Sequence, residues 1–99
     1  MTTERYRRRP DALWRRSLDA VVVLPPGEGA EPVTIGGTGP ELWDALADWR
    51  TLADLAEALA LRHRADADVV AADVAPILER LVACGAVERA ADSEPGHAR

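Results

Sequence analysis

The order of apolar and polar positions changes once along the chain. Before residue 36, apolar residues form short continuous runs separated by Pro and Gly, a pattern typical of β-strands and turns. From residue 39 onward they recur every three or four positions, as on one face of an amphipathic helix. The pattern therefore predicts strands followed by helices.

Three strands are predicted in the first part of the chain. The clearest is Ala20 to Leu24 (AVVVL), because β-branched residues favour extended backbone. Leu13 to Arg16 are predicted to form a short strand before it, and Glu31 to Ile35 form one after a loop rich in Gly and Pro. Pro32 has no N–H to donate to a neighbouring strand, so the third strand is expected at the edge of a sheet.

The first predicted helix covers about residues 39–48, where Thr38 and Glu41 have the spacing of a capping box. A second start signal at Thr51 predicts an amphipathic helix that ends near Arg62. A third helix is expected after a cap at Asp66 or Asp68. Its apolar stripe, which should face the core, consists of Val70, Val74, Ile77, Leu78 and Leu81.

Gly85 is predicted to end the third helix, and Ala86 to Arg89 are expected to add a short strand. These elements predict an α+β, winged-helix-like fold, in which a three-stranded antiparallel sheet near the N-terminus packs on three helices. Residues 1–9 are expected to be a flexible Arg-rich arm, residues 10–89 one folded domain, and residues 90–99 a disordered tail.

Composition limits the possible functions. All 12 basic residues are Arg, and the net charge is −5. Residues 1–16 carry a net +4, so the rest of the chain carries −9, which is a poor match for a nucleic acid backbone. No segment is apolar enough to predict a membrane span or a signal peptide, and we expect a cytoplasmic protein.

No motif in the sequence predicts catalysis, a cofactor or a metal. Gly36, Gly37 and Gly39 follow a strand, but the spacing fits neither a dinucleotide fingerprint nor a P-loop, which needs a Lys. Cys84 has no plausible His partner and is expected to be a buried, inert thiol. The three Trp residues are expected to pack in the core or in a satellite cluster, although indole rings can also line a peptide groove.

The second and third helices could form a helix-turn-helix, which makes a winged-helix DNA-binding regulator the alternative function. The would-be recognition helix carries Asp68, Asp73 and Glu79 against Arg80. A surface that faces phosphates should be positive, so its net charge of −2 argues against this alternative.

The order of elements and four segments of about residues 9–89 resemble the PqqD family, named for pyrroloquinoline quinone biosynthesis protein D. The segments are the strand pair AVVVL and EPVTI, the junction GGTGPELWDAL, the segment RTLADLAEAL and the closing DVVAADVAPILERLVACGAVE. Members of the family recognise ribosomally made peptides that are later modified, including lasso peptides. The resemblance implies that this chain is not an enzyme but binds the leader segment of a precursor peptide.

In that family the leader adds as an antiparallel strand to the third strand and lies in the cleft beside the third helix. The resemblance implies a modifying enzyme or a leader peptidase as the second partner, and no nucleic acid. Pro76 departs from a regular helix and should bend it. The candidate peptide-binding residues are Pro32, Val33, Thr34, Ile35, Val69, Asp73, Pro76, Ile77 and Arg80.

Overall fold

A computed structural model describes residues 3–92 of the chain. The described part contains two three-stranded antiparallel sheets and three helices, which confirms the predicted α+β class. In chain order, the elements are β1 (Thr3–Arg8), β2 (Leu13–Ser17), β3 (Ala20–Leu24), β4 (Val33–Ile35), α1 (Gly39–Ala45), β5 (Arg50–Thr51), α2 (Leu52–His63), α3 (Ala67–Ala83) and β6 (Val87–Asp92).

The three predicted strands form one sheet with the order β2-β3-β4. The central strand β3 buries Val21 and Val23 on the inner face, and Ile35 of β4 is buried beside them. The third strand begins at Val33 rather than at Glu31, and Pro32 directly precedes it. Its position at the end of the strand order confirms the predicted edge.

A second sheet, with the order β5-β1-β6, differs from the sequence-based expectation for both ends of the chain. The expected flexible arm contains β1, which pairs with β6 from Thr3 opposite Asp92 to Arg8 opposite Val87. Strand β6 also extends three residues into the expected tail, since Ala90, Ala91 and Asp92 belong to it. The partners lie more than 75 positions apart, so local pattern could not reveal this pairing. The expectation for residues 93–99 lies outside the described residues.

The two helix starts predicted at Thr38 and Thr51 have different outcomes. Thr51 caps α2 as expected, because its Oγ1 accepts from the Asp54 N–H at 3.0 Å while the Asp54 carboxylate accepts from the Thr51 N–H at 3.2 Å. The capping box at the start of α1 is wrong, because Thr38 makes no side-chain cap. Glu41 instead pairs with His63 at the end of α2.

The third helix follows its predicted bounds closely. Asp66 caps it by accepting from the Asp68 N–H, and Gly85, with a φ of 87°, follows its end. Pro76 lies inside the helix with its ring exposed. Val74, Leu78 and Leu81 face a single core, which they share with both sheets and with α1 and α2.

Candidate functional site

The open edge of β4 is the first candidate site. Within residues 3–92, β4 pairs only with β3, so its other side is not covered by a strand. The direction of its backbone groups follows from the turn between β2 and β3, where Ser17 pairs with Ala20 across two residues. Residues that flank so short a turn exchange hydrogen bonds with each other. Ala20 therefore directs its N–H and C=O towards β2.

Backbone groups alternate in direction along a strand, so Val21 and Val23 direct theirs towards β4. Their partners are Ile35 and Val33, respectively. Thr34 lies between these two and opposite Val22, and its N–H and C=O consequently point to the open edge. The edge thus offers one complete donor–acceptor pair at its centre.

The positions two residues before and after Thr34 offer fewer free backbone groups to an added strand. Pro32, two residues before Thr34, can provide a carbonyl but no N–H. The carbonyl of Gly36, two residues after Thr34, already accepts from the Gly39 N–H at 2.9 Å. Hydrogen bonding of a further strand would therefore centre on Thr34.

The second part of the predicted site is one flank of α3. Val69, Asp73, Pro76 and Arg80 are all exposed, with Val69 57% accessible, and Ile77 is half-buried against the core. Neither Asp73 nor Arg80 forms an ion pair or a side-chain hydrogen bond with another described residue. This flank therefore presents apolar surface together with two charges that are available to a ligand.

Both parts of the site border the same core. Ile35 is a buried member of it, and Val33 and Ile77 pack against it from β4 and α3. The main neighbours of α3 are α2 and β6. The structure thus places the two segments on one core, whereas a ligand-binding cleft between them stays a prediction.

The sequence did not predict a cluster of side chains formed by Arg8, Trp14 and Trp43. The ring of Trp14 meets that of Trp43 edge to face, with centroids 6.3 Å apart. The Arg8 guanidinium lies 4.8 Å from the Trp14 centroid and donates to the Trp43 carbonyl at 3.1 Å. Trp43 is fully buried as expected, but Trp14 remains 42% exposed. The six Arg of residues 1–16 were the only sequence signal for this cluster.

The groups considered for chemistry are apart in the structure. Cys84 is half-buried, and its thiol donates to the Leu81 carbonyl at 3.4 Å. His63 instead contacts Glu41, with 2.7 Å between Nε2 and Oε1. Within residues 3–92 no set of His, Cys, Asp and Glu side chains is arranged to hold a metal ion, and no helix is long and apolar enough to cross a membrane.

Comparison with known proteins gives one match. A family model described as Coenzyme PQQ synthesis protein D (PqqD) matches residues 20–87, from the start of β3 to the start of β6. Neither the curated proteins nor the solved structures contain a significant match. The matched segment includes β4 and α3 and covers more than half of the chain.

Proposed function

The chain belongs to the PqqD family, which takes part in the biosynthesis of PQQ and of other ribosomally made, modified peptides, and we propose that it is a non-catalytic module that binds the leader of a precursor peptide by strand addition to β4. It then presents the precursor to a modifying enzyme or a leader peptidase. The observation that carries this proposal is the open edge at Thr34, with an outward N–H and C=O.

Strand addition requires unpaired backbone groups for affinity and side-chain contacts for specificity. At Thr34, the edge of β4 supplies the unpaired backbone groups. An added strand would alternate its side chains between the two faces of the sheet. The leader residue opposite Thr34 would lie on the outer face, and the residues on either side of it would point inwards, to the side of the core that α3 also borders.

The exposed flank of α3 supports a role in fixing the register of the leader. Val69 and Ile77 provide apolar contact, and Asp73 and Arg80 provide opposite charges two helical turns apart. A shift of the leader by one residue would exchange its inner and outer side chains. Charged leader residues that pair with Asp73 and Arg80 would therefore favour one register.

Amide hydrogen exchange, followed by NMR with and without the leader segment of a candidate precursor peptide, tests the edge directly. We expect the Thr34 N–H to become protected on binding, because the added strand accepts from it. The other edge of the same sheet, β2, is the internal control. By the same alternation, its outward N–H groups belong to Trp14 and Arg16. Protection at those two amides without protection at Thr34 would show that the leader adds to β2, and the proposal would be wrong.

The presentation step makes a separate prediction. Holding the leader near the enzyme raises the effective concentration of the core peptide without new catalytic groups. The enzyme should therefore modify a precursor slowly alone and faster with this chain, while a precursor lacking its leader should show no acceleration. Equal acceleration of both substrates would indicate that the chain activates the enzyme rather than presenting the peptide.

A further inference from the structure

The outer face of the sheet β2-β3-β4 contains a shallow depression of about 370 Å³. Its lining consists of Leu13, Trp14, Arg15, Val22, Leu24 and Pro32. Leu13 is 67% exposed and Leu24 37% exposed, and the two residues pair across the strands. Leu13, Trp14 and Arg15 precede the segment that the family model matches. Contiguous exposed apolar surface of this kind marks interaction sites in proteins.

The charges around this depression favour one kind of partner. Three other arginines in the first part of the chain pair with carboxylates, Arg7 with Glu88, Arg9 with Asp11 and Arg16 with Asp44. Arg15 lies on the rim, and among the described residues it has no carboxylate partner. Arg8 does not line the depression: its guanidinium stacks on the rings of Trp14 and Trp43 and donates to the Trp43 carbonyl.

An arginine without a carboxylate partner among the described residues, Arg15, therefore borders an apolar surface that includes the half-exposed Trp14. Trp, Arg and aliphatic residues are the types that dominate the binding energy of protein interfaces. A nucleic acid would require a continuous basic surface, which the ion pairs of Arg7, Arg9 and Arg16 interrupt.

We propose that this depression is a second docking surface, which binds a segment of a partner protein that presents an aliphatic side chain next to a carboxylate. The aliphatic side chain would lie between Leu13 and Leu24. Its carboxylate would contact Arg15. The surface shares Pro32 with the open edge of β4 but is otherwise formed by β2 and β3, and it would exist even if that edge bound no leader.

Titration of the isotope-labelled full chain with a synthetic peptide, acetyl-Glu-Leu-Glu-Leu-Glu-amide, tests this proposal by NMR. At millimolar peptide we expect saturable shifts of the amides of β2 and β3 and of the Trp14 indole signal. Arg15→Glu should weaken binding about fivefold, because it replaces attraction by repulsion at an exposed site. Leu13→Ser should also weaken it. The peptide with Lys in place of Glu should give no saturable shift.

Matched variants separate this surface from general charge effects. Arg50→Glu makes the same change in net charge on the exposed strand β5, and Leu61→Ser removes an exposed Leu from α2. Both should bind the acidic peptide like the unmodified chain. The proposal would be overturned if the Arg50 and Arg15 variants lost affinity for the acidic peptide equally, or if the Lys peptide bound as well as the Glu peptide. Shifts confined to β4 and α3 would also overturn it.

Two further outcomes would also overturn it. If the shifts of β2 and β3 appear on raising the concentration of the chain alone, a second copy occupies the surface. If a short duplex DNA causes them with a steep dependence on salt, the surface binds phosphates. Leader binding at Thr34 is measured in separate titrations, so its success or failure is independent of all these results.

Discussion

Replacing Thr34 by Pro tests the orientation of the β4 backbone. The substitution removes one N–H, which in this structure points away from β3 and takes no part in the sheet. Proline fits extended backbone, and residue 33 before it is already extended, so the strand itself can accommodate the ring. We expect the free energy of unfolding to change by about 0.5 kcal/mol or less, as for surface sites in general.

Leader affinity should respond more strongly. One net backbone hydrogen bond contributes about 0.5 to 1.5 kcal/mol, which corresponds to a loss of roughly 2- to 13-fold in the association constant. Titration calorimetry with the leader peptide measures this loss. Thr34→Val is the matched control, because it retains the N–H and the β-branched shape. Its affinity should stay close to that of the unmodified chain.

Val33→Pro, one position earlier in β4, should destabilise the fold, unlike Thr34→Pro. The Val33 N–H faces β3, so its removal leaves the Val23 carbonyl without its partner in a buried strand. We expect a loss of about 1 to 3 kcal/mol in the free energy of unfolding, measured by urea denaturation. If Thr34→Pro and Val33→Pro destabilise the fold equally, or if Thr34→Pro leaves leader affinity unchanged, the assignment of the outward N–H to Thr34 is refuted.

Three other predictions concern α3, the contact between α1 and β4, and the cap of α2. Arg80→Glu should weaken leader binding, measured by calorimetry, by on the order of 1 to 3 kcal/mol. The control Glu57→Ala, on the outer side of α2, should leave leader affinity unchanged. Equal affinities of the two variants would remove Arg80 from the site. Gly39→Ala should destabilise the fold by about 1 to 3 kcal/mol in urea denaturation, since an added Cβ would overlap the Ile35 side chain, and an unchanged midpoint would contradict this contact. A backbone N–H lowers the pKa of the Asp54 carboxyl below its value in the unfolded chain, so its contribution to stability is present above the unfolded pKa and is lost as pH falls through the folded pKa. Thermal unfolding of Asp54→Asn should therefore depend less on pH in the acidic range than that of the unmodified chain.

The sequence alone determined the strands β2, β3 and β4, the three helices and the cap of α2. Each of these depends on residues close together in the chain. The β-branched run at Ala20–Leu24 favours a strand wherever it is placed, and Thr51 and Asp54 satisfy each other's backbone groups across a single turn. Pro32 likewise predicted the edge position, because the missing N–H is a property of the residue itself.

Only the tertiary structure decided the features that depend on distant partners. Strand β1 exists because β6 lies beside it, although residues 1–9 have the composition of a mobile arm. Glu41 has the spacing of a capping residue, yet the fold brings His63 within hydrogen-bonding distance of it. The outward direction of the Thr34 N–H depends on the pairing of β3 with both of its neighbours. Local pattern sets the tendency of each segment, but contacts between segments far apart in sequence select which polar groups are paired and which stay available.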